Sequence, residues 1–260
     1  MISLPFDSGS SAQRRRHLVL PALGLLIGLI LWWLAVLVLS GWSPVIAEFS
    51  PVSAFDQLLI GLRSGVLLRH ARASLLRVGV GLGIAVLLAV PLGLLLGLNR
   101  RLELTTSAAF QFIRMISPLS WMPIAVMVLG VGDLPVFFLL AVAALWPILL
   151  TIISAVRNIN PLYLKVARSF AAEPLEIVSR VVLPAIRPNL LASLRVAVGL
   201  IWVVLVPAEM LGVSSGLGYL ILDCRDRLAY GELTAVLLLI GAIGWALDSG
   251  LRSLSRDGHG

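Results

Sequence analysis

The stretch VGVGLGIAVLLAVPLGLLLGL, from Val78 to Leu98, decides the fold. It carries no charged side chain and is apolar on every face, so it cannot lie against the water-facing side of a soluble domain. A helix rises about 1.5 Å per residue, and about 20 such residues cross a hydrocarbon core of roughly 30 Å. The rest of the chain agrees. Of 260 residues, 59% are hydrophobic and 13% charged, against roughly 45–50% and about 25% in a soluble domain. The solvent of this protein is largely lipid.

Five more stretches read as spans: Leu18–Leu39, Met115–Gly132, Leu134–Val156, about Leu190–Met210 and about Leu233–Leu251. The first follows Arg14, Arg15 and Arg16, but it is longer than the roughly 7–15 residues of a signal-peptide core, so it reads as a retained span. Six spans place both termini on one side. With the N-terminus cytoplasmic, that side holds the lysine and arginines of residues 1–17, 99–101, 157–188 and 252–260, while the other side holds Arg63, Arg69, Arg72, Arg225 and Arg227, and Arg77, Arg114 and Arg195 lie in or at the edge of spans; the excess orients the chain. The expected organisation is a cytoplasmic tail 1–17, a first helix 18–39, an external segment 40–73 with a surface helix near Phe55–Leu68, a five-helix core 74–252 and a tail 253–260. Pro91, Pro118, Pro123, Pro147 and Pro207 are expected to interrupt spans, freeing carbonyls that must face protein or a wet path. Gly24/Gly28, Gly79/Gly83 and Gly93/Gly97 are small-residue pairs that permit close helix approach.

Several chemistries find no support. A phosphate-binding loop needs Lys after Gly, and the single lysine, Lys165, follows Leu164. ATP is therefore expected on a partner subunit, with no cofactor in this chain. His17, His70 and His259 are isolated, which speaks against a metal site, and Cys224 stands alone, so no intrachain disulfide forms. The scattered arginines suit lipid headgroups rather than nucleic acid. Gly212-Val213-Ser214-Ser215-Gly216 matches the nucleophile-elbow spacing, but that motif requires a strand–turn–helix setting; a Gly-rich turn after a span is the better account. The chain is not expected to be an enzyme.

Between the fourth and fifth spans runs NPLYLKVARSFAAEPLEIVSRVVLPAIRPNL, Asn160 to Leu190. Asn160-Pro161 is a helix start, with Asn as N-cap and Pro at the first helical position. Leu162, Val166, Ala167 and Phe170 then share one face. Glu173-Pro174 opens a second short helix with Leu175, Val178, Val181 and Val182 on its apolar side, Ala171 and Ala172 form the bend, and Leu183-Pro184 is expected to end the segment. Such a hairpin suits docking into a partner's groove; lying on the lipid surface is the alternative that pattern alone leaves open.

This segment resembles the EAA loop of binding-protein-dependent ABC importer permeases, whose pattern runs Glu-Ala-Ala, three residues, Gly, nine residues, Ile-x-Leu-Pro. Lys165-Val166-Ala167, Ala171 and Val181-Val182-Leu183-Pro184 fall at those places without a gap. Lys for Glu departs from the pattern; so does Ala for Gly, which implies either a bend that avoids positive φ or one that is mildly strained. A wider likeness over about 70–252, carried by Ile116–Ala125, Ala208-Glu209-Met210-Leu211 and Ser215–Leu220, is to the nitrate/sulfonate/taurine branch. The resemblance implies an all-α membrane protein with six transmembrane helices, the type I ABC importer permease fold and a cytoplasmic coupling helix. It implies a second permease copy, a cytoplasmic ABC ATPase dimer, an external substrate-binding protein and a small anion as solute, in the bacterial inner membrane. ATPase coupling is expected at Lys165, Arg168, Ala171, Ala172, Glu173, Pro174, Leu175 and Pro184.

The translocation path is expected at Ser117, Ser120, Trp121, Trp202 and Glu209. Glu209 has two readings: it gates the outer end of a path, or it pairs locally with an arginine or a backbone amide. Isolated, it would cost on the order of 3 kcal/mol at a helix centre. Trp202 could face lipid or path, and Trp32, Trp33 and Trp42 read as interface anchors. A self-contained secondary transporter or a membrane anchor is the competing class, but its coupling carboxylates would have to be Glu209 and Asp248.

Overall fold

The computed structural model describes residues 11–256, and every regular element among them is helical. The outermost parts of both expected tails, 1–10 and 257–260, lie outside the described residues. The helices are α1 Ser11–Leu39, α2 Pro51–Arg63, α3 Val66–Leu98, α4 Arg100–Arg114, α5 Met122–Leu129, α6 Asp133–Arg157, α7 Pro161–Ser169, α8 Pro174–Ile177, α9 Leu183–Met210, α10 Leu217–Asp226 and α11 Tyr230–Arg256. Single tight turns of helix at Pro44–Phe49 and Pro118–Trp121 and a wide turn at Val178–Val182 link some of them. Four helices are long and apolar enough to cross a membrane, and α4 with the Pro118–Leu129 stretch makes a fifth, bent by 84°. The apolar stretch Leu23–Leu39 of α1 is shorter than these.

The core is a pair of parallel helices. Gly81 of α3 lies against Leu140 of α6, Gly93 against Ile152 and Gly97 against Val156, a constant offset. Both faces repeat every fourth residue: Gly81, Ala85, Ala89, Gly93 and Gly97 on α3 meet Leu140, Ala144, Ile148, Ile152 and Val156 on α6. Without hydrophobic drive between helices in lipid, such small residues gain their packing by letting backbones approach. Of the expected small pairs, Gly93/Gly97 packs this way, whereas Gly24, Gly28, Gly79 and Gly83 have nothing near them. Helix α9 runs back along α6, and α11 crosses it where Gly244 receives the Trp202 indole. Helix α1 touches little beyond the Pro44–Phe49 turn, where the Trp32 indole N–H donates to the Phe49 carbonyl at 3.1 Å. Trp33 and Trp42 are exposed.

Several boundaries differ from the sequence expectation. Helix α3 begins at Val66, well before Val78, because Arg77 finds partners and so does not end the span. The surface helix is Pro51–Arg63, capped by the Ser50 hydroxyl and stopped at Ser64-Gly65, where Gly65 takes φ +73°. The third span is not Met115–Gly132. It starts with the amphipathic α4, capped by Asn99, and breaks ahead of Pro118. Pro91, Pro147 and Pro207 sit inside unbroken helices. Leu183-Pro184 does not end a segment either: Pro174 to Met210 is one helical rod of 37 residues, carried past the proline by the wide turn Val178–Val182. A further helix, α10, follows the Gly-rich turn.

Replacing Gly93 by Val should test the parallel contact. Its Cβ would fall 2.8 Å from the Ile152 methyl, and overpacking of this kind costs about 1–3 kcal/mol. Thermal unfolding in detergent should show a lower midpoint for G93V and none for G83V, whose Cβ meets nothing within 4 Å.

Candidate functional site

At the end of the bundle where α3 and α6 begin and α9 finishes, four segments converge on one ion pair. Glu209, in the last turn of α9, is 0% exposed, and Arg77 of α3 is 4% exposed. Arg77 Nη1 donates to Glu209 Oε1 at 2.7 Å and to the Ser215 carbonyl at 2.7 Å, and Nη2 donates to Ser215 Oγ at 2.9 Å. Its Nε reaches Asp133 Oδ1, at the start of α6, at 2.8 Å. Glu209 accepts also from the Ser74 hydroxyl at 2.8 Å and from the Gly218 N–H at 2.8 Å. Ser74 Oγ in turn accepts from the Leu217 N–H at 2.8 Å. Every lone pair and proton that burial would leave stranded is thus used, which is the condition for a buried pair to hold.

The turn after α9 can close over this pair only because it is Gly-rich. Gly216 has φ +109°, and a Cβ there would collide with both the Arg77 guanidinium and the Glu209 carboxylate. A Cβ at Gly218 would meet the Val206 carbonyl and Glu209 Cβ. His70 Nδ1 lies 3.1 Å from both the N–H and the carbonyl of Gly216, with its ring stacked on Tyr219. The Gly212–Gly216 stretch therefore serves as a clasp on an ion pair, and Ser214 is merely exposed.

The two carboxylates on Arg77 differ. Glu209 is enclosed, whereas the Asp133 side chain is 56% exposed. Asp133 edges a cleft of about 470 Å³ lined by Arg77, Val131, Gly132, Gly212, Val213, Ser214 and Ser215. One arm of the guanidinium is locked into the bundle. The other is open to exchange.

The remaining expected residues fall at three places. Ser117, Ser120 and Trp121 occupy the break between α4 and α5; both hydroxyls are exposed, and the Trp121 indole N–H is buried without an acceptor among the described residues. Trp202 packs on Gly244 between α9 and α11. The residues expected to couple to an ATPase lie at the opposite end. Asn160 Oδ1 caps α7 by accepting from the Leu162 N–H at 2.9 Å, and the helix buries none of its side chains. Phe170 is 83% and Leu175 78% exposed, beside exposed Lys165, Arg168, Ala171, Glu173, Pro174 and Pro184 and half-buried Ala172. Ala171 takes φ +54°, so the bend is of the strained kind. Arg77, Asp133, Ser74, Ser215 and His70 were not among the expected site residues. The available signal was an arginine at a span edge in a chain with a carboxylate at another, since charges in a membrane segment are expected to pair.

Cys224, on α10, is buried in a second apolar cluster with Leu67, Ala71 and Val236. Burial, with the Glu232 carboxylate beside it, pushes its thiol up to about 11.

Comparison with known proteins bears on this arrangement. The family model described as binding-protein-dependent transport system inner membrane component matches residues 89–254. The bicarbonate transport system permease protein of Synechococcus elongatus is 37% identical over 186 residues, 71% of this chain and 66% of its own length. The chain thus spans about two thirds of that relative. The taurine transport system permease protein of Escherichia coli is 28% identical over 240 residues, 90% of this chain and 87% of its own. Among solved structures, an inward-facing form of the MetNI methionine ABC transporter superposes with a TM-score of 0.61 at 21% identity, over 71% of this chain and 92% of that one, a likeness of fold.

Two measurements check the site. Arg77→Ala leaves Glu209 buried and unpaired, a loss of about 3–5 kcal/mol; R77M/E209M should recover most of it in a double-mutant thermal-unfolding cycle, and independent, additive losses would show that the pair is not coupled. Cys224 stays protonated at neutral pH, so its alkylation by N-ethylmaleimide should be roughly 100-fold slower than that of an exposed thiol until detergent unfolds the chain.

Proposed function

The chain belongs to the family of binding-protein-dependent transport system inner membrane components, and from that premise we propose that it forms the translocation path of an ABC importer. The solute delivered to it is a small anion such as nitrate, bicarbonate or an alkanesulfonate like taurine. Similarity to the bicarbonate and taurine permeases supports that class. An external binding protein hands over the solute, a cytoplasmic ATPase dimer binds the ATP, and a second copy of this chain completes the path in the lipid bilayer of the inner membrane. The N-terminus and α7 are cytoplasmic, as the arginine distribution favours, and the Arg77–Glu209 end is external.

The observation that carries this reading is the uncovered apolar face of α7 joined through one bend to the Pro174–Met210 rod. Leu162, Val166 and Phe170 are exposed on a short helix outside the bundle, the form a partner's groove accepts. Rigid-body movement of the ATPases would act at Lys165, Arg168 and Ala171–Leu175 and be carried along α9. At the rod's far end Glu209 holds Arg77, so displacement there strains the Asp133 arm and opens the external cleft. Ser117, Ser120 and Trp121, at the break of the bent span, line the path; Glu209 and Trp202 set its walls through their neighbours. Both carboxylates that a secondary transporter would need are held in ion pairs. Glu209 is fully hydrogen-bonded, and Asp248 is held by Arg195 at 2.6 Å and by Arg252.

Ala171→Asp tests the coupling role. The variant should insert in the membrane at wild-type level yet fail to co-purify the ATPase, and uptake should drop at least roughly tenfold, as loss of a docked anchor of more than 1.4 kcal/mol implies. Normal co-purification would remove the loop from the ATPase interface. Transport by the purified chain without nucleotide would remove the importer reading itself.

A further inference from the structure

An open cleft of about 610 Å³ lies at the α7 end, and the path residues named above take no part in it. Its polar lining is Thr151 and Ser154 from α6, Asn158 that caps its end, Asn160 that caps α7, Tyr163 from the start of α7, and Asn189 from α9; the other lining residues are aliphatic. No charged side chain contributes. Thr151, Ser154 and Asn158 follow at spacings of three and four, which places all three on one face of α6. They interrupt an otherwise strongly apolar span.

Hydroxyls inside helices normally satisfy themselves on a carbonyl three or four residues back. Thr105, Thr106, Ser107, Ser169, Ser193 and Thr234 all do so here. Thr151 and Ser154 do not, and the side chains of Asn158, Asn189 and Tyr163 likewise have no hydrogen-bond partner among the described residues. Asn160 alone is engaged, as the α7 cap. Thr151 is half-buried and Ser154, Asn158, Tyr163 and Asn189 are exposed, so five donor-bearing side chains line one open cleft and are available to a solute that enters it.

We propose that this cleft is an exit site for a small solute bearing an oxyanionic group, occupied after passage from the Arg77 end and before release. The assignment rests on the importer reading above. Hydroxyl and amide donors replace part of the water around the anion's oxygens, while the absence of a fixed cation keeps the site weak. Conduction requires that combination: binding strong enough to enter, loose enough to leave. Arg77, the basic residue in the cleft at the opposite end, is already engaged by Glu209, Asp133 and Ser215, so neither cleft becomes a trap. The position of the site, between the α6 and α9 ends and the first turn of α7, also means that movement of α7 changes its width.

The test uses the assembled transporter in proteoliposomes with ATP at the ATPase side and labelled nitrate, bicarbonate or taurine supplied with the binding protein. The variant Asn158→Leu/Asn189→Leu should cut uptake roughly tenfold, the weight of two lost hydrogen bonds, while ATP hydrolysis stimulated by the binding protein stays within about twofold. N158S/N189S, which keeps donors, should retain most of the uptake. Unchanged uptake in the leucine variant overturns the site. Joint loss of uptake, hydrolysis and ATPase co-purification overturns it too, since the cleft would then be a docking or structural surface. If the wild-type transporter takes up none of the three probes, the anion class falls and the exit site with it, an outcome that differs from unchanged uptake because it appears before any substitution.

Discussion

The bundle depends on keeping one guanidinium and one carboxylate out of both water and lipid. A lone charge at such depth is expensive, and a buried pair repays desolvation only when its remaining protons and lone pairs are used. Arg77 and Glu209 meet that condition by drawing in Ser74, Ser215 and Gly218. The consequence is topological. Residues from α3, from the end of α9 and from the turn before α10 must occupy one small volume, and Asp133 brings the start of α6 to its edge. Gly216 and Gly218 are required by the same demand, because a side chain at Gly216 would stand where the ion pair is and one at Gly218 would collide with the Val206 carbonyl and Glu209 Cβ.

From that anchored end the bundle becomes progressively softer. The α3–α6 contact is regular along its length, with no titratable group after Arg77 on its buried face, so it acts as a rigid two-helix plate. Helix α9 packs on that plate but carries Pro188 and Pro207 within it and the wide turn Val178–Val182 before it. Each proline removes one hydrogen bond of the helix ladder, and wide turns of this type recur at functional sites. A rod fixed at Glu209 and loosened between Val178 and Pro188 can tilt at its free end without disturbing the pair. Movement large enough to reach the pair would first load the Asp133 arm, whose exposure makes it the cheaper contact to exchange with water.

How much of this could be read beforehand follows from the kind of signal each feature leaves. The spans are legible because hydrocarbon demands long apolar runs, and the start of α7 is legible because Asn160-Pro161 is a local cap. The bend expected at Ala171-Ala172 is present, with Ala171 at φ +54°. The ion network was not legible. Arg77 and Glu209 lie far apart in sequence, and nothing local to either names the other. The broken third span was hidden by α4, whose Arg101, Glu103 and Thr105 look like a loop until the helix is seen to run beside α6, with Glu103 paired to Arg157 and Phe110 set on Trp146. Pro184 misled in the opposite direction. Proline ends most helices, but the wide turn Val178–Val182 immediately ahead of Pro184 carries the rod past it.

The bend at Ala171 shows how the loose end is specified. An alanine at φ +54° carries a steric penalty of order 1 kcal/mol that glycine would not, yet the turn forms. Local bonds fix it from both sides. The Ala171 and Ala172 N–H groups close on the Arg168 and Ala167 carbonyls at 3.0 and 3.2 Å, while the Glu173 N–H donates to the Glu176 carboxylate at 3.3 Å as Pro174 starts α8. These are exposed contacts, each modest in water, so the strain is held by several weak bonds and not by burial. A bend built this way keeps its shape at rest but yields to a partner that grips α7. That is the mechanical opposite of the Arg77–Glu209 end, where desolvation makes partial opening costly. Under the proposed docking of α7, a helix joining a yielding end to an unyielding one would move as a lever about its fixed point, with its greatest travel near the cavity beside Asn158 and Asn189.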